Sequence, residues 1–338
     1  MVQTVWRGNP LPYADTIITS GSNYDTLDAV IPIGVLYLYN FSSAPDSLML
    51  YGGSVLAPGL QVYSYDPTYA FDLTVDGLTP AYSVLNTYAG IDNIGGTFEM
   101  NLIGDARVNN FGTIFAGYNT LSQIDLISSP TSFYNYGTME TVSGHLFVDQ
   151  GARTSFVNIG NIDAIGSNAL VFLENGSAMG SSFTNNGFIN AGAGGTVEIV
   201  TQVYGAGILD ASSGGRLYFF GGGNAGSGET VDLNSGVLEL NSAISMNFLA
   251  PIEGESAGST ILFDNTLATS DIFHVLSQAG AGLSELTLFN GRNEVADLKF
   301  IGHFQPADFT LTDHSAASGN WTALTFSNHV NTLYTYHS

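Results

Sequence analysis

Along most of residues 91 to 264, apolar side chains fall at every second position in runs of four to six, and Gly, Asn or Ser closes each run. The stretch "SSFTNNGFINAGAGGTVEIVTQ", residues 181 to 202, is representative. A period of two puts all the apolar residues on one side of an extended chain, and the breaks supply tight turns. The pattern therefore predicts many short strands. No segment combines helical periodicity with caps.

The runs also repeat. "VNNFGTI" at 108, "FYNYGTM" at 133, "FVNIGNI" at 156 and "FTNNGFI" at 183 share an apolar residue, then Asn, Gly and an aliphatic at alternate positions, with steps of 25, 23 and 27 residues. A second phrase follows, as "GNIDAIGSNALVF" at 160, "GFINAGAGGTVEI" at 187 and "GILDASSGGRLYF" at 207, with a partial copy, "VDLNSGVLEL", at 231. Units recurring every ~20 to 27 residues cannot each bury an apolar face alone, so neighbours must stack, whereas a propeller would want ~40 residues per blade. The prediction is an all-β chain folded as a right-handed parallel β-helix, a β-solenoid.

Stacking brings equivalent residues of successive coils to about 4.8 Å. Phe133, Phe156 and Phe183 then form one core column, and Ile162, Ile189 and Leu209 another. Asn110, Asn135, Asn158 and Asn185 form a turn ladder at a bend, where Asn tolerates left-handed geometry and bonds to the backbone above and below. Gly112, Gly137, Gly160 and Gly187 follow them as turn residues, Gly being the residue that accepts positive φ.

These phrases, with the later "APIEGESAGSTILFDN" and "ADFTLTDHSAASGNWTALTF", resemble the β-helical, Gly/Asn/Thr-rich exported surface proteins of Gram-negative bacteria, among them autotransporter passengers and secreted adhesin-like repeats. The resemblance covers about residues 90 to 330. It implies a right-handed β-helix, an extracellular or bacterial cell-surface setting, and a structural or adhesive protein without catalytic residues. The opening "MVQTVWRGNPLPYADT" lacks the positive start and apolar run of a secretory leader, and nothing resembles a C-terminal membrane barrel.

Three regions are expected. Residues 1–90 hold ten of the 17 tyrosines and read as an N-terminal cap with irregular first coils. Residues 91–264 are the regular coils. In 265–338 the grammar changes to alternating runs about Asn-Gly and Ser-Gly-Asn, predicting C-terminal coils with a β-hairpin cap.

Composition narrows the partners. Six Lys and Arg against 29 Asp and Glu give a net charge of −23, and the six cations are too scattered to form the basic stripe that nucleic acid needs. No stretch approaches the ~18 apolar residues of a membrane helix, so neither nucleic acid nor membrane insertion is expected. There is no Cys, which excludes disulfides and thiolate metal sites. The surface must instead be coated by Ser, Thr, Asn and Gly.

Candidate chemistry is sparse. Glu140, Asp163, Asp210 and Asp232, with Asn190 among them, fall at outward positions of successive coils. One rung apart, Glu140 and Asp163 could share a Ca²⁺ or act as an acid and nucleophile pair; a solvated acidic strip is the simpler expectation, and no other cofactor is implied. Polysaccharide lyases, hydrolases and tail spikes resemble the chain in scaffold, so polysaccharide binding or cleavage is the alternative to a structural role. Catalysis there wants clustered acids with a cationic partner, and Arg107, Arg153 and Arg216 stand alone in the sequence. The six histidines lack metal-ligand spacing, and "GGGNAGSGE" at 221 lacks the Gly-Lys-Ser ending of a phosphate loop.

Tyr37 and Tyr39, and Tyr63 and Tyr65, share strand faces and could present an aromatic contact surface to a cell-surface polysaccharide. The terminal segments, with Val2, Val5 and Trp6 at one end and Leu333 and Tyr334 at the other, are short, apolar and strand-like. Unpaired strand edges recruit further chains, so the expected partner is a second copy, joined head to tail into a fibre.

Overall fold

In the computed structural model, residues 97–327 are described apart from 118–119, 128–129, 176–179 and 317–318; before residue 97 the description covers mainly strand backbones. The chain is a parallel β-solenoid; among the described residues 64% are strand and 3% helix. It divides into two compact units, Met1–Phe188 and Ile189–Ser338.

In the first unit each coil contributes three strands. One coil is Ser132–Asn135, Thr138–Val142 and His145–Gln150, and the next is Ser155–Asn158, Asn161–Ile165 and Leu170–Asn175. Each strand pairs in parallel with its equivalent one coil away: Phe133 with Phe156, Glu140 with Asp163, Asp149 with Glu174. Three faces result. We call them the asparagine face, which includes Ala106–Asn110 and Ser182–Asn185; the middle face, with Thr113–Ala116; and the broad face, with Thr97–Gly104 and Leu121–Leu126. Burial alternates strictly along strands such as Thr97–Gly104, Leu121–Leu126 and Ser132–Asn135, so the period of two in the sequence is the in-and-out alternation of each strand.

The core is built of columns. Phe133, Phe156 and Phe183 are fully buried, with ring centroids 5.0 and 4.8 Å apart and planes 1° and 11° from parallel. Beside them Asn110, Asn135, Asn158 and Asn185 are also fully buried. Each amide donates to the next: Asn110 Nδ2 to Asn135 Oδ1 (2.7 Å), Asn135 to Asn158 (2.8 Å) and Asn158 to Asn185 (2.8 Å). The second N–H of three of them reaches a backbone carbonyl past the corner, at Thr138, Asn161 and Phe188. Four polar side chains can therefore lie in an apolar interior, because stacking supplies their partners.

The glycines after these asparagines do not serve the purpose expected of them. Positive φ occurs elsewhere, at Ser143 and Arg153 in this unit and at Ala193, Ser213 and Ser235 in the second, and at neither these asparagines nor Gly112, Gly137, Gly160 and Gly187. The constraint is space. A Cβ on Gly137 would stand 2.0 Å from the carbonyl oxygen of Gly112, one on Gly160 1.9 Å from that of Gly137, and one on Gly187 2.1 Å from that of Gly160. Backbone stacks directly on backbone here, and Thr138 and Asn161 continue the hydrogen-bonded ladder around the corner.

In the second unit the middle-face strands are Ile208–Ser212, Thr230–Asn234 and Ile252–Glu253, and the broad-face strands are Thr196–Ile199, Arg216–Phe219, Val237–Asn241 and Thr260–Asp264. Ile189 and Leu209 are buried in this unit, and Leu209 stands in register with Val231. Parallel pairing then gives way to antiparallel. Thr260–Asp264 pairs with Gly319–Phe326, itself in a hairpin with Phe309–Ala316. Ser270–Ser277, Leu283–Asn290 and Asn293–Ile301 form a meander, which turns at Gly291 with φ +64 and joins the middle face through Ile252 and Phe300.

Tyr37 and Tyr39 lie in the strand Val35–Asn40 and Tyr63 in Gly59–Ser64, with Tyr39 in register with Tyr63; Val5 and Trp6 lie in Thr4–Arg7. Their side chains lie outside the described residues, as do Val2, Tyr65, Leu333 and Tyr334 entirely.

Candidate functional site

Three groups of side chains face outward with interactions that solvated decoration would not require. The first, in the first unit, is carboxylate columns. Glu140 and Asp163 are register partners on the middle face, and burial, then the neighbouring Asp163, pushes the Glu140 carboxyl above its ordinary range. A second column, which the sequence reading missed, runs along the broad face through Asp125, Asp149 and Glu174. Burial raises Asp125 and Asp149 adds to this, while Gln123, donating to both carboxylate oxygens at 2.9 and 3.0 Å, opposes it.

The second group is an aromatic and guanidinium patch on the asparagine face. Arg107 lies 4.3 Å from the ring centroid of Tyr134 and donates from Nε to Asn109 Oδ1 at 3.1 Å. Phe111 and Tyr136 stack at 4.9 Å; with Ile159 they form an exposed apolar ridge, each about two-fifths accessible. These residues occupy the variable position inside the Asn-x-Gly phrase, where a column of exposed side chains could have been read from the phrase alignment.

The third group lies on the broad face of the second unit. Arg216, read from sequence as isolated, is not: Nη2 lies 2.6 Å and Nε 2.8 Å from Glu239 Oε2, and its guanidinium lies 4.6 Å from the Tyr218 ring centroid. Glu198, Tyr218 and Glu239 occupy successive rungs, and Phe220 stacks on Tyr218 at 4.7 Å. Although paired, Glu239 is held above its ordinary range, because burial outweighs what Arg216 contributes; Asp264 and Glu198 push the same way. Tyr218 is raised too, by burial and then by Asp264 and Glu239. Arg216 and Glu239 are far apart in sequence but one coil apart in space, which isolated motif reading cannot see. Chemically the cluster offers acceptors, a guanidinium and aromatic surface on one face.

The remaining acids of the predicted strip are less exposed than a solvated strip requires. Asp210 is buried, and it is in register with Asp232, which burial raises; Asp232 is in register with Glu253, raised by burial and then by Asp232. Ile208–Ser212 departs from strict alternation here, so Asp210 is covered along with Leu209 and Ala211. Further along, Glu255 is buried, and neither carboxyl oxygen reaches a hydrogen-bond partner on another residue. Burial drives its pKa up to about 8, its own backbone N–H giving partial relief and Glu253 and Asp232 adding to the rise. Among the described residues no three His, Asp or Glu side chains are grouped to hold a metal ion, and no helix is long and apolar enough to cross a membrane.

No protein-family model matches the chain, and no curated protein matches it.

Proposed function

We propose that this chain is a non-enzymatic structural or adhesive solenoid of the bacterial extracellular surface, which self-assembles head to tail through its terminal coils. The observation that carries this reading is the buried amide column from Asn110 to Asn185 beside the stacked phenylalanines. A polar ladder satisfied only by its own repetition fixes the stacking of coils without any ligand, which suits a stiff building block. Sedimentation and negative-stain imaging of the intact chain, of a chain lacking residues 1–11 and of one lacking 331–338, with and without calcium, test it. Concentration-dependent rods that either truncation abolishes are expected; a chain that stays monomeric throughout, or truncations that assemble equally well, would sink the idea.

A second reading, recognition of a cell-surface polysaccharide, rests on the Arg216, Tyr218 and Glu239 cluster. Retention on immobilised polysaccharides that Tyr218→Ala abolishes without lowering the melting temperature would favour it.

A further inference from the structure

The broad face of the second unit runs on through the C-terminal hairpin, because Thr260–Asp264 pairs with Gly319–Phe326 and that strand with Phe309–Ala316. Register then fixes which outward side chains are neighbours. Tyr218 stands between Glu198 and Glu239, Asp264 stands beside Trp321, and Trp321 beside His314. Two aromatic groups therefore bound one lane. Arg216, Tyr218 and Phe220 stack along their strand on one side of it, and Trp321 and His314 stack at 3.9 Å, 15° from parallel, on the other. His314 covers one face of the indole, so the opposite face looks back over Asp264. Three strand steps, about 14 Å, separate the Tyr218 strand from the Trp321 strand.

The strands of this face, from Thr196–Ile199 to Phe309–Ala316, contain a single Lys or Arg, Arg216, and Glu239 holds it. Glu198 and Asp264 are additional, and both lie close enough to push Glu239 and Tyr218 upward. The field in the lane is therefore negative, although a guanidinium marks it in the sequence. A uronate or sulfate is repelled there, whereas a cation is attracted, and at Asp264 it meets the indole face as well. We propose that this lane binds a glycan carrying free amino groups, with one sugar ammonium seated at Asp264 against Trp321 and the chain reaching the Tyr218 and Phe220 stack. The proposal rests on the polysaccharide reading of the Arg216 cluster and specifies the charge of its ligand. A basic peptide fits less well, because the lane lies inside a sheet paired on both sides and offers no backbone edge to a strand. It offers ring surface, Asn241, Thr260 and carboxylate acceptors, which suit a hydroxyl-rich chain.

The full chain has two tryptophans, so Trp6→Phe leaves Trp321 as the only indole reporter. In that background, a glucosamine oligosaccharide should shift the emission of Trp321 saturably. Its N-acetylated counterpart should bind at least about tenfold more weakly, and an oligogalacturonate should not bind. Asp264→Asn should weaken the glucosamine chain by at least about tenfold with an unchanged melt, while affinity for the N-acetylated chain barely moves. Glu294→Gln removes one exposed acid from the meander and should change neither, which separates the lane from the bulk charge of −23. An N-acetylated or galacturonate chain that binds as tightly as the glucosamine chain overturns the proposal but leaves the polysaccharide reading standing. If none of the three binds, the proposal falls, and the Tyr218→Ala retention experiment decides the broader reading on its own. Equal losses from Asp264→Asn and Glu294→Gln, or an oligolysine that perturbs Trp321 as tightly as the glucosamine chain, would show an indifferent negative surface and sink it too.

Discussion

Asn135 donates one amide N–H to Asn158 Oδ1 at 2.8 Å and the other to the backbone carbonyl of Asn161 at 2.9 Å, while its own Oδ1 accepts from Asn110. All of this happens at zero solvent exposure. Removing one amide therefore breaks a chain of bonds rather than a pair. Asn135→Ala should cost about 2 to 5 kcal/mol in chemical denaturation, since several buried groups lose partners together.

Asn135→Asp keeps the shape but replaces a donor with an acceptor facing Asn158 Oδ1. The new carboxyl can donate only when protonated, so its folded pKa should lie above the unfolded value of about 3.9. By linkage, the variant's relative stability is fully present below that value and is lost as pH rises through the folded pKa. Melts across pH 3 to 8 that run parallel for variant and native chain would contradict the amide column as the reason for Asn at this position.

Phe156→Ala should cost about 3 to 5 kcal/mol, and Ile189→Ala about 2 to 5, because each opens a cavity in a filled core. Asp163→Asn should be near neutral, as it removes a like charge beside Glu140, whose carboxyl Asp163 helps to hold up. Thermal melts read all three. A large loss from Asp163→Asn would mean that the middle-face acids are structural.

Gly160→Ala and Gly214→Ala separate two reasons for glycine. Gly214 has φ +79 with open space around a Cβ, so Ala there should cost about 1 to 2 kcal/mol of backbone strain. Gly160 has no positive φ, but its Cβ would overlap a backbone carbonyl that cannot move alone. That change should cost about 3 kcal/mol or more. The opposite ranking in denaturant midpoints would show that conformation, not contact, sets the cost.

Glu255 gives the second unit a pH dependence of definite sign. Its folded pKa of about 8 lies above the ordinary glutamate value of 4.5, so the folded state binds the extra proton between those limits. Stability should fall as pH rises from about 4.5 to 8 and then level off, by a few kcal/mol at most. Asp232 and Glu253 are shifted in the same direction and add to the lower part of that window. Glu255→Gln should flatten the upper part of the profile; an unchanged profile would place the titration elsewhere.

Much of this architecture was legible because repetition in sequence is repetition in space. Aligning the Asn-x-Gly phrases gives the register of Phe133 on Phe156 and of Asn135 on Asn158 without coordinates. What the phrases could not supply was the reason for the glycines, since a backbone contact across coils leaves no mark on local propensity. Nor could they join Arg216 to Glu239, whose pairing needs the second phrase aligned as carefully as the first. Single-residue chemistry was the weakest signal: Asp210 sits in the same alternating grammar as Asp163, yet a local break in alternation buries it.

The stacked Asn-x-Gly corner also decides where this chain could have been lengthened. Between the asparagine and middle faces the connection is the same size in four successive coils: Phe111 and Gly112, Tyr136 and Gly137, Ile159 and Gly160, Asn186 and Gly187. All the variation in step, 25, 23 and 27 residues, is taken up at the other two corners of each coil. Across these four coils one edge behaves as a spine, closed to insertion because each corner is the seat of the next. The other two are free to grow, and any loop that adapts such a protein to a new surface must be grafted there.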